Sequence, residues 1–153
     1  LRDFFMTIAT AKVSTSAYEA FDLHILRKGF DNITLNRKRL LSDAKNAVLS
    51  LANAGYVSPQ PRNDIRVLGR QGLGVIQAGA SAMLAGNYIS PYDQMLSLKL
   101  GYIMCGGNLS SPSLVSEKYL LDLEREAFLS LLGEKKTLER IQAILTTGKA
   151  LRN

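Results

Sequence analysis

One cysteine, Cys105, and one histidine, His24, occur among the 153 residues. A single cysteine excludes a disulfide framework and a cysteine-ligated zinc site, and fits a reducing compartment. A single histidine excludes a His-based metal cluster, so no metal site is expected. A Ser–His–Asp site would have to use His24, yet no Gly-x-Ser-x-Gly elbow occurs anywhere in the chain. His24 lies beside Ile25 and Leu26, and its expected place is partly buried or at an interface. Cys105 follows Ile103 and Met104 on an apolar face and is expected to be a small core residue. Long apolar runs are also missing: none approaches the roughly 20 residues of a membrane helix. Arg2 and Asp3 precede an apolar stretch too short for a signal peptide. No membrane partner is expected, and the expected location is cytoplasmic.

What is present is an ordinary globular composition, 46% apolar and 21% charged, which excludes wholesale disorder. The length suits one domain or a piece of a larger one. The chain opens on Leu1 and reads as a fragment. The net charge is +6, with eleven Lys/Arg against six Asp/Glu up to residue 70 and eight against seven thereafter. Anionic partners therefore come into view for the first half, although solubility is the commonest meaning of such a balance.

Helical periodicity dominates. After a short apolar opening, Phe4 to Ala11, the stretch Ser16-Ala-Tyr-Glu19 has the form of a capping box at the start of a short helix. Gly29 breaks the chain. Asn36 is a good N-cap for a longer helix, in which Leu40, Leu41, Ala44, Ala47, Val48 and Leu51 follow at three- and four-residue steps to a stop at Gly55. Residues 56–72, with Pro59, Pro61, Gly69 and Gly72, read as a connector. A helix from about Leu73 follows, whose small residues Gly79, Ala80, Ser81 and Ala82 would admit a close neighbour. Ser90-Pro91 starts the next helix, with Asp93 in its first turn and Gly106-Gly107 at its end. Residues 108–115 read as a loop. Ser116 caps a helix with a broad apolar face that includes Leu120, Leu123 and Phe128, and a last helix runs to about Thr147, before Gly148. The expectation is an all-α fold, an irregular bundle of about five or six helices, divided into 1–55, the connector 56–72, and 73–153.

Few residues suggest chemistry. Asp122, Glu124 and Glu126 are spread around their helix beside Lys118 and Arg125, which fits a solvated ion-pairing face rather than an acid/base dyad. Residues 65–74, Ile-Arg-Val-Leu-Gly-Arg-Gln-Gly-Leu-Gly, could be a short strand, a glycine-rich turn and a helix, the setting in which amides receive a pyrophosphate. Counted from Gly72, however, the third glycine position is Gln77, and no βαβ unit surrounds it; a helix-entry turn accounts for it better. Arg37-Lys38-Arg39 fan over about 200° of a helix and cannot form one stripe along a groove.

Residues 4–54, from Phe4-Phe-Met-Thr-Ile-Ala through Ser16-Ala-Tyr-Glu-Ala20 to Leu51-Ala-Asn-Ala54, resemble the later part of the crotonase (enoyl-CoA hydratase/isomerase) family. Leu120-Leu-Asp-Leu-Glu-Arg-Glu-Ala-Phe128 and Gly148-Lys-Ala-Leu-Arg-Asn153 are similar to the end of large bacterial 3-hydroxyacyl-CoA dehydrogenases of β-oxidation, which carry a crotonase-like region. Leu23-His24-Ile25 departs from that family's usual small-residue turn.

The resemblance implies the C-terminal helical portion of such a dehydrogenase, with a structural and assembly role. The family's oxyanion amides, catalytic glutamates, nucleotide-binding glycines and His–Glu pair match no position here, so no catalytic residue and no cofactor is expected in this chain; NAD and a CoA thioester would belong to the parent. Lys149 and Arg152 are the candidates for contacts to CoA phosphates. The implied partners are upstream crotonase-like and dehydrogenase domains, with self-association of the isolated chain and no nucleic acid. An incomplete core follows, with the faces of Phe4, Phe5 and Ile8 and of Leu120 and Phe128 exposed or hidden by association. The alternative is a small basic helical module that binds nucleic acid through Arg37, Lys38, Arg39, Arg62, Arg66 and Arg70. A third reading is a helical adaptor using the apolar face of the Ser116 helix.

Overall fold

A computed structural model describes residues 1–153. The chain forms seven α-helices and one two-stranded ribbon: α1 (Arg2–Ala9), α2 (Ala17–Asp22), α3 (Leu40–Asn53), β1 (Ile65–Val67), α4 (Gly69–Ala85), α5 (Pro91–Met104), β2 (Ser113–Val115), α6 (Glu117–Leu132) and α7 (Lys135–Thr147). The all-α expectation holds for the bulk of the chain. Two details differ. The stretch expected as a loop contains β2, which pairs antiparallel with β1 in the register Ile65↔Val115 and Val67↔Ser113. Three residues per strand are too few to show alternation; within the ribbon Val67 is the buried residue. The helix expected from Leu73 begins four residues earlier, at Gly69.

The helix starts follow their side-chain chemistry. Ser90 Oγ accepts from the Asp93 amide while the Asp93 carboxylate reaches back to Ser90, a complete capping box with Pro91 at the first helical position. Ser116 Oγ accepts from the Tyr119 amide and opens α6. Ser16 does the same for Glu19, but the Glu19 carboxylate accepts from the Thr15 amide rather than from Ser16, so the expected box is displaced by one residue. Asn36 caps a 3-10 turn over Arg37–Arg39, and the α-helix proper follows from Leu40.

The chain divides into two compact units, Lys12–Gln60 and the remainder, Leu1–Ala11 with Pro61–Asn153. In the larger unit α4 packs along α5, α1 and α6 pack on α5, and α7 on α6. Its core is Phe5, Ile76 and Cys105, with Leu73, Leu100 and Met104 against them. The close approach of α4 to α5 is made at Gly101, where a Cβ would lie 2.8 Å from Ile76 Cγ2. Gly79, expected to serve that purpose, has open space at its Cβ position.

Burial is sparse. No residue of α3 or α7 is buried, and Leu41 and Val48 on the apolar stripe of α3 are 83% and 64% exposed. Phe4, Ile8 and Phe128 are exposed as expected; Phe5 is buried and Leu120 is half-buried. The chain exposes 11493 Å² in all. Two separate compact globules of these two sizes would expose about 9,000 Å² between them. Twenty-eight large apolar side chains are among the exposed residues.

In the smaller unit His24 is exposed, which corrects the partly buried alternative of the expected partly buried or interfacial histidine. It sits just beyond α2 with φ +57, where its amide donates to the Phe21 carbonyl and the Ile25 amide donates to Ala20. This is the usual helix-ending pattern with a histidine at the position that favours glycine. A non-glycine residue there carries about 1–2 kcal/mol of strain. His24→Gly should therefore raise stability by about 1 kcal/mol, read as a higher urea midpoint at unchanged slope. A lower midpoint would mean that the imidazole contributes more than the strain it carries.

Candidate functional site

A cleft of about 700 Å³ lies in the larger unit. One wall is α1, through Phe5, Met6 and Ala9; the other is the face of α4 that carries Leu68, Gly72, Ile76, Gly79 and Met83. Those α4 positions recur at three- and four-residue steps, so one helical stripe lines the cleft lengthwise. Leu68 to Met83 spans about 22 Å at 1.5 Å per residue. Charged groups gather along it from α5, α7 and the last residues: Asp93, Arg140 and Arg152, with Ser97.

Asp93 and Arg140 anchor this polar end. Arg140 Nη1 donates to Asp93 Oδ1 at 2.9 Å, Nε donates to Asn153 Oδ1 at 2.8 Å, and Nη2 donates to the Asn153 carbonyl at 3.2 Å. The guanidinium also lies 5.0 Å from the centroid of the buried Tyr92 ring, whose hydroxyl bonds Thr137 on α7. Burial pushes the Asp93 carboxyl up, but hydrogen bonds from Arg140 and Ser90 and the charge of Arg140 outweigh it, and the group lies below its ordinary value. Asp93 is thus held ionised with its lone pairs occupied. It organises the cleft and is unsuited to act as a proton donor or base.

Arg152 reaches the cleft; Lys149 does not line it, is exposed, and its backbone amide bonds Thr147 Oγ1. Cys105 is fully buried and its thiol is pushed up by burial, so it is an inert core residue as expected. Asp122 pairs with Lys118 and Arg125 and is held low, chiefly by the Lys118 hydrogen bond, while Glu124 and Glu126 are exposed on the same helix. The basic residues of the alternative reading are divided: Arg37, Lys38 and Arg39 fall in the smaller unit and Arg62, Arg66 and Arg70 in the larger. Arg39 is occupied by Asp43, Arg62 by Asp64 and Arg70 by Asn108.

The glycine-rich turn is a strand-to-helix junction, but the first two amides of its helix are spent. The Gly69 amide donates to the Cys105 carbonyl at 2.8 Å and that of Arg70 to Leu109 at 2.9 Å. Gly69 has φ +57, and a Cβ there would lie 2.5 Å from the Leu109 carbonyl oxygen; one at Gly72 would meet Cys105 Sγ at 2.9 Å. These glycines serve the backbone's approach to the α5–β2 connection rather than a phosphate.

Against known proteins, the chain is 44% identical over 149 residues to a probable 3-hydroxyacyl-CoA dehydrogenase of Bacillus subtilis (strain 168). This chain is similar to one stretch of a 3-hydroxyacyl-CoA dehydrogenase. The match takes in 97% of this chain and 19% of that protein, so the chain spans about a fifth of the relative's length. No protein-family model matches the chain, and no solved structure does. The likeness to the dehydrogenase thus runs through both compact units and includes every residue of α3 to α6 that shapes the cleft or the exposed stripes.

Two outcomes test this account of the site. Gly69→Ala should destabilise by about 2–3 kcal/mol through clash and strained backbone, whereas Gly74→Ala, open at its Cβ position, should stabilise by about 1 kcal/mol as a helix-interior glycine replaced. Chemical denaturation of the two variants reads both signs. For the ion pair, Arg140→Ala should cost about 1–3 kcal/mol at neutral pH. The folded Asp93 value lies below that of the unfolded chain, about 3.9. The pair's contribution is therefore complete above pH 4 and is lost as the pH falls through the lower folded value. Asp93→Asn should be the less stable protein at pH 7, with the gap to the wild type closing on acidification.

Proposed function

We propose that this chain is a helical part of a 3-hydroxyacyl-CoA dehydrogenase of fatty-acid β-oxidation and that its role there is structural. The observation that carries the reading is the 44% identity over nearly the whole chain to a probable enzyme of that kind. Hydride transfer to NAD and the handling of the CoA thioester would be the work of other parts of a longer, cytoplasmic polypeptide. The stretch would be the C-terminal helical portion of a crotonase-like region, lying against that region and the dehydrogenase domains.

Three features support a structural role. The first two amides at the glycine-rich helix start, those of Gly69 and Arg70, are already bonded to Cys105 and Leu109, which disfavours a pyrophosphate site. The best-formed acid, Asp93, is committed to Arg140 and Ser90. The apolar stripes of α3 and α6 lie open, as faces built to lie against another surface do. In such an assembly Lys149 and Arg152 would be the side chains placed toward CoA phosphates.

The isolated chain should therefore turn over neither NADH with a 3-ketoacyl-CoA nor an enoyl-CoA, and it should self-associate through its bare stripes. Sedimentation should give a species larger than a monomer, reduced by Leu41→Asp with Val48→Asp. Turnover that survives repurification, or a clean monomer that binds no apolar dye, would overturn the reading.

A further inference from the structure

The five residues after Gly148 are held very unequally. Ala150, Leu151 and Arg152 make no main-chain hydrogen bond, and the Lys149 amide reaches only Thr147 Oγ1. Asn153 takes part in five hydrogen bonds. Arg140 Nε donates to its Oδ1 at 2.8 Å, while Arg140 Nη2 and Ser90 Oγ donate to its main-chain oxygen at 3.2 and 3.5 Å. Its own Nδ2 donates to Glu139 Oε2 at 2.6 Å and to the Lys136 carbonyl at 3.5 Å. This seat is specific for a carboxamide, whose oxygen faces a guanidinium and whose nitrogen faces a carboxylate. An aspartate would turn a negative charge toward Glu139 and lose the donor, and an alanine would satisfy neither side.

The seat lies at the start of α7, whereas the tail leaves that helix at its other end, through the left-handed Gly148 at φ +67. From Lys136 to Gly148 the helix covers about 18 Å, and five residues reach at most about 18 Å. The tail therefore runs back along α7 drawn out, which accounts for its lack of main-chain bonds. On the way Ala150, Leu151 and Arg152 line the cleft between α1 and α4, beside Asp93 and Arg140. Little else depends on these residues. The core of Phe5, Ile76 and Cys105 lies outside the tail, and Arg140 holds Asp93 through Nη1, a nitrogen that Asn153 does not use.

We propose that residues 149–153 are a strap across the polar end of the cleft, latched by the Asn153 carboxamide. Unseating Asn153 opens that end of the cleft while the rest of the larger unit stays folded. A segment fixed at its two ends, with no ladder of bonds between them, is released as a whole when one end lets go. The inference stands on the seat and the cleft and does not rest on the dehydrogenase reading.

Two readouts test it together, backbone nitrogen relaxation of the tail and trapping of a thiol placed on the cleft wall. In the wild type the amides of Ala150, Leu151 and Arg152 should have order parameters near about 0.85, as in rigid backbone. Asn153→Asp should lower them below about 0.6, and adding Glu139→Gln should restore them, because the new amide can donate to the aspartate. Asn153→Ala should loosen the tail as well, but Glu139→Gln should not rescue it. Ser97→Cys supplies the thiol on the cleft wall; Cys105, the natural one, is fully buried. A bulky maleimide should label the introduced thiol at least about ten-fold faster with Asn153→Asp, and at the original rate once Glu139→Gln is added. The thermal midpoint of the fold should stay nearly constant throughout. A tail already mobile in the wild type, or one unmoved by Asn153→Asp, would overturn the proposal. So would loosening by Asn153→Asp that Glu139→Gln fails to reverse, labelling that stays slow beside a loose tail, or loss of the whole fold with the latch.

Discussion

The larger unit depends on how closely the backbone at Gly69 approaches the end of α5. Cys105 is fully buried, its carbonyl accepts the Gly69 amide, and its sulfur fills the place where a Gly72 side chain would be. Gly106, at φ +79, lets the chain turn against Val67, where a Cβ would lie 2.5 Å from Val67 Cγ2. Three glycines and a small thiol thus bring strand, helix start and helix end into one junction. The ribbon, the direction of α4 and the seating of Phe5 on Ile76 all follow from that contact. So does the fate of the phosphate-like turn, whose donors cannot serve a ligand while they hold the junction together.

From this junction α4 and α5 run alongside one another, and the cleft follows the α4 face turned toward α1. The far end is closed by a different kind of force. Arg140, brought by α7, bonds Asp93 on α5, stacks near Tyr92 and holds Asn153. A partly buried ion pair is worth little unless its remaining hydrogen-bonding capacity is met, and here it is met from both sides. An apolar junction and a polar clamp therefore bracket the cleft. That arrangement keeps it open without a side chain having to fill it.

The apolar surface left bare ties the fold to the likeness found among known proteins. A stripe as regular as Leu40, Leu41, Val48 and Leu51 is the mark of a helix that packs on something, yet each of these residues is more than half exposed. The hydrophobic effect is indifferent to which chain supplies the cover. A stretch similar to 19% of a longer enzyme would have most of its natural neighbours elsewhere in that enzyme.

Local chemistry was legible in the sequence. Ser90, Ser116 and Ser16 cap helices because a hydroxyl satisfies the nearest free amides wherever it stands, and the helix ends at Gly55 and Gly148 follow the same local logic. The all-α class and the buried Cys105 were equally readable, since each depends on residue spacing, whereas the exposed faces of Phe4, Ile8 and Phe128 were expected from the resemblance to a longer protein. The ribbon was not, because three-residue strands carry no period and their pairing joins residues fifty apart. Nor was the role of the glycines: open space at Gly79 and crowding at Gly72 look the same in a sequence, and only the position of Cys105 distinguishes them. The exposure of His24 likewise depended on how α2 ends. The bond between Asp93 and Arg140 spans 47 positions, and the cleft it closes is made by α1, α4, α5 and α7 together. The sequence by itself determined which segments are helical and where they stop, because those interactions act within one turn; which faces meet and which stay open was decided by contacts that only the folded chain brings within reach.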